Sequence, residues 1–224
     1  MQLVLSTRNP GKLREFVPLL APHEVIPLPV EVELPPETGE TFAENAVVKA
    51  QIAADATGIP AVADDSGIAA AALGGRPGVR SARYAGEDAT DEENLAKLLR
   101  EVPDDDRRVA YVCAIAYAEP DAPERAHVVE GRCEGTLVHD PRGDGGFGYD
   151  PAFLPADRDD GRTMAELAPE EKDAISHRGR AARAFLEWLE ADRRGTGQRA
   201  ASASASGRTG DVGAGPAPGT AKRT

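Results

Sequence analysis

VAYVCAIAYA at residues 109–118, followed by AHVVEGRCEGTLV at residues 126–138, decides the fold. The first segment is apolar and rich in β-formers, so it reads as a long strand. The second reads as its antiparallel partner, across a connection holding Pro120 and Pro123. On either side of this hairpin, helical and strand signals alternate. Upstream, Thr41-Phe42-Ala43-Glu44 is a capping box that opens a helix with Phe42, Ala46, Ala50 and Ala53 on one face, ending near Gly58. Ala61-Val62-Ala63 then reads as a short strand stopping at Asp64 and Asp65. Thr90 to Glu93 is a second capping box, ahead of Leu95, Leu98, Leu99 and Val102.

At the N-terminal end, Leu3-Val4-Leu5 reads as a strand. Asn9 caps the next helix, with Pro10 at its first position and Leu13, Phe16, Val17 and Leu20 at helical spacing. Pro18 predicts a kink or an early end to that helix. Val25 to Leu34 has β character broken by Pro27 and Pro29. Near the other end, Ser176 caps a helix through Ala182, Phe185, Leu186 and Leu189. Alternation around a long hairpin predicts an α/β protein with a mixed sheet.

The 224 residues carry a formal charge of −12, and aromatics are only 4%, so Ala, Val and Leu must fill the core. So acidic a chain is a poor fit to nucleic acid, which needs a basic surface. Cys113 and Cys133 form no CxxC pair, which predicts reduced thiols in a cytoplasmic protein. No apolar run reaches the roughly 20 residues of a membrane span, and no targeting segment precedes the first strand. From Gly195 the composition shifts to Gly, Ala, Ser, Thr and Pro without apolar periodicity. The expected organisation is a two-lobed domain over residues 1–194 and a disordered tail over 195–224.

Four segments suggest chemistry. Ser6-Thr7-Arg8-Asn9-Pro10-Gly11-Lys12 joins a strand to a helix start, where free N–H groups and Lys12 suit an anion; an ordinary capped turn reads equally well. Ala63-Asp64-Asp65-Ser66-Gly67 puts two acids beside an apolar strand, where a magnesium ion would offset their desolvation. Gly145-Gly146-Phe147-Gly148-Tyr149-Asp150-Pro151 offers aromatics for a nucleobase, or a hairpin turn tucked into the core. Lys172 with Ser176-His177-Arg178-Gly179 puts cations at a helix start, against the helix dipole; a ligand would resolve that conflict, as would a surface patch offset by Glu170 and Glu171. Asn45 and Lys49 share one helix face beside the apolar stripe, facing a cleft or bordering the core.

Taken in order, STRNPGKLREF, ETGETFAENAVVKA, ADDSGIAAAALGGRPGVRSARYAGEDATD, GGFGYDPAFLP and MAELAPEEKDAISHRGRA strongly resemble the inosine/xanthosine triphosphate pyrophosphatase family. That resemblance implies a long mixed sheet spanning two lobes, helices on both sides, an active cleft between the lobes, and a homodimer. It implies hydrolysis of the noncanonical purine triphosphates ITP, dITP and XTP to the monophosphate and pyrophosphate. Thr7, Arg8, Asn9, Pro10, Gly11 and Lys12 would hold the triphosphate. Glu37 and Asp65 would bind Mg2+, with Asp65 the catalytic base, and Lys49 and Ser66 would contact phosphate. Phe147, Gly148, Tyr149, Asp150, Lys172, His177 and Arg178 would form the nucleoside pocket. A nucleotide-binding module without turnover, a nucleic-acid-binding protein and a pyrophosphatase for modified pyrimidines are the competing readings.

Overall fold

The computed structural model describes the backbone of residues 1–206 and the side chains of residues 1–195. Its elements run β1 (Gln2–Leu5), α1 (Pro10–Leu19), β2 (Glu24–Pro27), α2 (Phe42–Thr57), β3 (Ala61–Ala70), α3 (Asp91–Glu101), β4 (Arg108–Glu119), β5 (Ala122–Leu137), β6 (Phe153–Pro155), α4 (Pro169–Ile175) and α5 (His177–Ser206). The described strands form one mixed sheet in the order β2-β1-β3-β4-β5-β6. β1 runs parallel to β2 and β3, and the pairs from β3 to β6 are antiparallel. Residues Met1–Leu186 form one compact unit, which holds the sheet and the site.

The expected hairpin forms as β4 and β5 but reaches further. Asp121 takes φ 55 in the tight turn, and β5 starts at Ala122, so Pro123 lies inside the strand. Asx side chains tolerate that left-handed turn position. β3 departs more. It continues ten residues straight through the two acids, pairing Asp64 with Ile115 and Asp65 with Ala114. Side-chain partners within the fold, described below, make that burial tolerable. α1 ends one residue after Pro18, the early end that proline imposes. Strand structure after Pro27 is lost, because Pro27 and Pro29 break the ladder.

β3 and β4 thread two buried apolar clusters. Ala61, Ala63, Ala114, Ala116 and Ala118 pack against Ala46, Ala50, Ala53 and Ala54 of α2. The further ends, Ile68, Ala70, Val109 and Tyr111, pack with Leu95 and Leu98 of α3. The acids lie between the two, at the junction the fold leaves for a site. On the face opposite α2, Phe185 of α5 meets Tyr117, and Gly131 of β5 lets the helix settle: a Cβ there would stand 2.1 Å from the His177 carbonyl. Both cysteines are free and buried. α5 is helical through Ser206, past Gly195, where the tail was expected to begin; residues 207–224 lie outside the described residues. Among the described residues no helix is long and apolar enough to cross a membrane.

Candidate active site

A cavity of about 340 Å³ opens at this junction, lined by the β1–α1 turn, the segment around Glu37, α2, β3, the 79–82 turn, the 147–150 loop and the start of α5. Strand alternation decides what each acid of the pair does, since neighbouring side chains leave a strand on opposite faces. Asp65 faces α2. Asn45 Nδ2 donates to its Oδ2 at 2.8 Å, and Lys49 Nζ stands 3.8 Å from its Oδ1. Lys49 also donates to Glu37 Oε1 at 2.5 Å and to the Asp64 carbonyl at 2.7 Å. Asn45 Oδ1 accepts from Gly39 N at 2.8 Å, so one amide ties Asp65 to the loop carrying Glu37. Arg83 Nη2 holds that loop from outside through the Glu37 carbonyl at 3.0 Å. Burial pushes the Asp65 carboxyl above its ordinary value; Lys49 pulls the other way, and Glu37 adds to the rise. Burial also works against the Lys49 ammonium, but Asp64, Asp65 and Glu37 together hold its pKa above the usual lysine value. The result is a charged lysine between two acids, one of them with its pKa raised.

Asp64 faces the other way and lines no part of the cavity. Its Oδ2 lies 3.0 Å from Lys12 Nζ and 3.7 Å from Arg178 Nε, and accepts from Ser66 Oγ at 2.9 Å. The desolvation expected of an acid pair is thus offset for Asp64 by lysine and arginine. Burial raises this carboxyl, but Lys12, Arg178 and Lys49 outweigh it and hold its pKa at about 2. Because the folded value lies below the free one, Asp64 stabilises the fold above about pH 4 and loses that contribution as pH falls toward about 2. Acid unfolding followed by circular dichroism should therefore steepen in that window, and Asp64→Asn should flatten it.

At the other end, Lys172 Nζ is held between Glu15 Oε1 at 2.6 Å and Asp150 Oδ2 at 2.7 Å. Arg178 donates to Glu15 Oε2 and to Ser66 Oγ, both at 2.9 Å. Glu15 is therefore the anion that settles the helix-start conflict. Burial raises its carboxyl, yet Arg178 and Lys172 pull it below the ordinary value. The Phe147 ring covers both cations, 4.9 Å from the Arg178 guanidinium carbon and 5.6 Å from Lys172 Nζ. His177 stacks on Tyr111 with ring centroids 4.5 Å apart. Burial, then Arg178, Lys172 and Lys12, drive its pKa well below the usual histidine value, so the ring is neutral.

Several expected ligand groups are otherwise engaged. The Arg8 guanidinium, expected on the triphosphate, donates to the carbonyls of Leu28, Pro29, Val30 and Val32 and staples that irregular segment, while the residue also lines the cavity. Asn9 Oδ1 accepts from Gly11 N and Lys12 N, so these N–H groups are capped rather than free for an anion. Gly11 gives room to Phe147: a Cβ would stand 2.9 Å from its ring. Pro10, Gly11 and Lys172 do not line the cavity, whereas Thr7, Asn9, Lys12, Glu37, Lys49, Ser66, Gly148, His177 and Arg178 do. Tyr149 borders the cavity but is buried in the α3-side core, its hydroxyl on the Ser81 carbonyl at 2.7 Å. Gly11→Ala should displace the Phe147 ring and raise KM for a purine nucleotide by roughly tenfold, the scale of one lost base stack; steady-state kinetics on ITP measures it.

A model of the Ham1 family matches residues 3–188. The chain belongs to the Ham1 family. It is 52% identical over 188 residues to the dITP/XTP pyrophosphatase of Geobacillus kaustophilus, covering 80% of this chain and 90% of that one. It is 50% identical over 194 residues to the dITP/XTP pyrophosphatase of Streptomyces coelicolor, covering 83% and 95%. Among solved structures, a HAM1 protein from Coxiella burnetii superposes with TM-score 0.76 at 43% identity, covering 85% of this chain and 98% of that one. A dITP/XTP pyrophosphatase from Mycobacterium abscessus gives TM-score 0.64 at 46% identity, covering 83% and 99%.

Sequence reasoning left out several groups that build this Ham1 site. Glu15 falls three residues after Lys12 on the same helix face, a spacing that marks it once two cations need an anion. Tyr111 gave no such signal, since an aromatic in an apolar strand reads as core. Asp91 accepts from Gly148 N at 2.9 Å across 57 residues of chain, a contact no local pattern carries.

Proposed function

We propose that the chain hydrolyses noncanonical purine nucleoside triphosphates (ITP, dITP and XTP) to the monophosphate and pyrophosphate, removing them from the nucleotide pool. One observation carries this reading: the cavity has two chemically distinct ends. Glu37, Lys49 and Asp65 stand at one, and Arg178 lies under the Phe147 ring at the other. The dITP/XTP pyrophosphatase relatives support the same substrate class.

Magnesium fits the first end. Glu37 and Asp65 share Lys49, and each is close enough for its charge to bear on the other. Mg2+ takes one or two carboxylates plus phosphate oxygens, and these two acids would hold it there. Bound, it would neutralise charge on the phosphates. The chain's own groups do the rest. Asp65 orients a water and takes its proton as that water attacks the α-phosphorus. Asn45 fixes the carboxylate by donating to it. Lys12 and Lys49 offset the charge that develops on the departing pyrophosphate.

Base choice follows from donors. The Arg178 guanidinium keeps N–H groups beyond those given to Glu15 and Ser66. A 6-oxo group accepts from such a donor, while the 6-amino group of adenine leaves it unpaired. Guanine adds a 2-amino donor, and the Asp150 carboxylate, 3% exposed, is already drawn to Tyr111 Oη at Oδ1 and to Phe147 N and Lys172 Nζ at Oδ2, so that donor would compete with bonds the fold has made. Xanthine presents a 2-oxo acceptor there instead. Pyrophosphate release should run ITP and XTP well above GTP and ATP with magnesium and stop with a chelator; equal rates on all four would refute the reading. The resemblance further supports a homodimer, which static light scattering of the purified chain would test as twice the chain mass.

A further inference from the structure

Asp64 lines no part of the cavity, yet it touches two cations that do, Lys12 and Arg178. Through one oxygen it pairs with Lys12 of α1 and stands against Arg178 of α5. Ser66 Oγ bridges Asp64 to the arginine, donating to Asp64 Oδ2 at 2.9 Å and accepting from Arg178 Nη2 at 2.9 Å. The residue is 1% exposed, and its second oxygen is buried without a hydrogen-bond partner. A carboxylate so enclosed is sustained by its cations, and they by it; removing either side leaves an uncompensated buried charge.

We propose that Asp64 is a positioning residue that couples the phosphate end of the site to the base end. The proposal rests on the function given above, in which Lys12 meets phosphate and Arg178 reads the base. Both cations are drawn to a single oxygen, so a phosphate that pulls Lys12 away changes what holds Arg178. A base that engages Arg178 changes what holds Lys12 in the same way. Ser66 transmits the larger share toward the arginine, because it hydrogen-bonds Asp64 and Arg178 at once. Asp65, on the opposite face of β3, accepts from the Ser66 N–H at 3.0 Å but turns its carboxylate to Asn45 and Lys49, so the two adjacent acids divide the work: one serves the reaction, the other sets the partners of substrate recognition.

A residue serving the fold alone would lower activity on every substrate alike. A coupling residue changes the ratio between substrates. The test measures kcat/KM for ITP and ATP in the wild type, Asp64→Asn, Ser66→Ala and Lys12→Met, with circular dichroism and thermal midpoints confirming folded protein. Asp64→Asn should lower the ITP-to-ATP ratio about tenfold, and Ser66→Ala, which spares the Lys12–Asp64 pair, about fivefold. Lys12→Met should lower it about threefold although Lys12 lies outside the base-reading groups. Should Asp64→Asn fail to fold, Ser66→Ala and Lys12→Met decide. A wild-type ratio in those two folded variants overturns the coupling, whereas a wild-type chain that does not prefer ITP overturns the functional reading beneath it.

Discussion

Asp65→Asn lowers turnover of ITP by about a hundredfold to ten-thousandfold, the usual contribution of a positioned general base. Asparagine keeps the side-chain shape and a hydrogen-bond group facing Asn45, so the local structure survives. Stability moves the other way from activity. The Asp65 carboxyl is raised above its ordinary value in the fold, first by burial, so its charged form is held at a cost once pH exceeds that value. A neutral amide removes the cost, and the thermal midpoint at neutral pH should equal or exceed that of the wild type. Calorimetry beside a pyrophosphate-release assay measures both. Near-wild-type turnover in a folded variant would remove Asp65 from the mechanism.

Arg178→Gln has the second large effect, on choice of substrate and on the fold together. In the wild type, ITP should exceed ATP in kcat/KM by a hundredfold or more, on the order of what an unpaired buried donor costs. The glutamine variant should bring that ratio close to unity. It also strips Glu15 and Asp64 of a buried counter-ion. Breaking a buried pair from one side costs about 3–5 kcal/mol, so the midpoint should fall by several degrees. Arg178→Lys separates the two effects. It restores charge but not the forked geometry that reaches Glu15 and Ser66 together. Most of the stability should return while selectivity stays impaired. A glutamine variant that still prefers ITP as strongly as the wild type would place base reading elsewhere.

Elements with local chemistry were legible. Both capping boxes, at Thr41–Glu44 and Thr90–Glu93, form with their reciprocal hydrogen bonds, because each is closed within one helical turn. The β4–β5 hairpin was legible because neighbouring segments pair with little loop entropy. β3 was misjudged at its acids. Polarity marks a strand end only when no partner waits in the fold, and here Lys12, Lys49, Asn45 and Arg178 come from three other elements. The segment after Pro27 shows the converse, where β-forming side chains lose to missing backbone donors.

The candidate residues were legible as types, their engagements less so. Arg8 and Lys12 stand four apart in one motif, yet Arg8 serves backbone carbonyls and Lys12 pairs with Asp64. Spacing could not separate them, because the difference depends on where residues 28–32 and β3 pass. The FGYD aromatics divide for the same reason. Phe147 covers the cations while Tyr149 is anchored on Ser81, a contact 68 residues away in sequence. For Asn45 and Lys49 the sequence left cleft and core equally open. The structure turns both toward Asp65, since α2 lies on the β3 face that carries that acid.

Hydrolysis of ITP in water labelled with heavy oxygen, with magnesium present and both products analysed by mass spectrometry, tests the central claim most directly. Attack by an Asp65-activated water on the α-phosphorus puts the label in inosine monophosphate and leaves pyrophosphate unlabelled. Label in pyrophosphate, or release of a diphosphate and inorganic phosphate, would contradict the account.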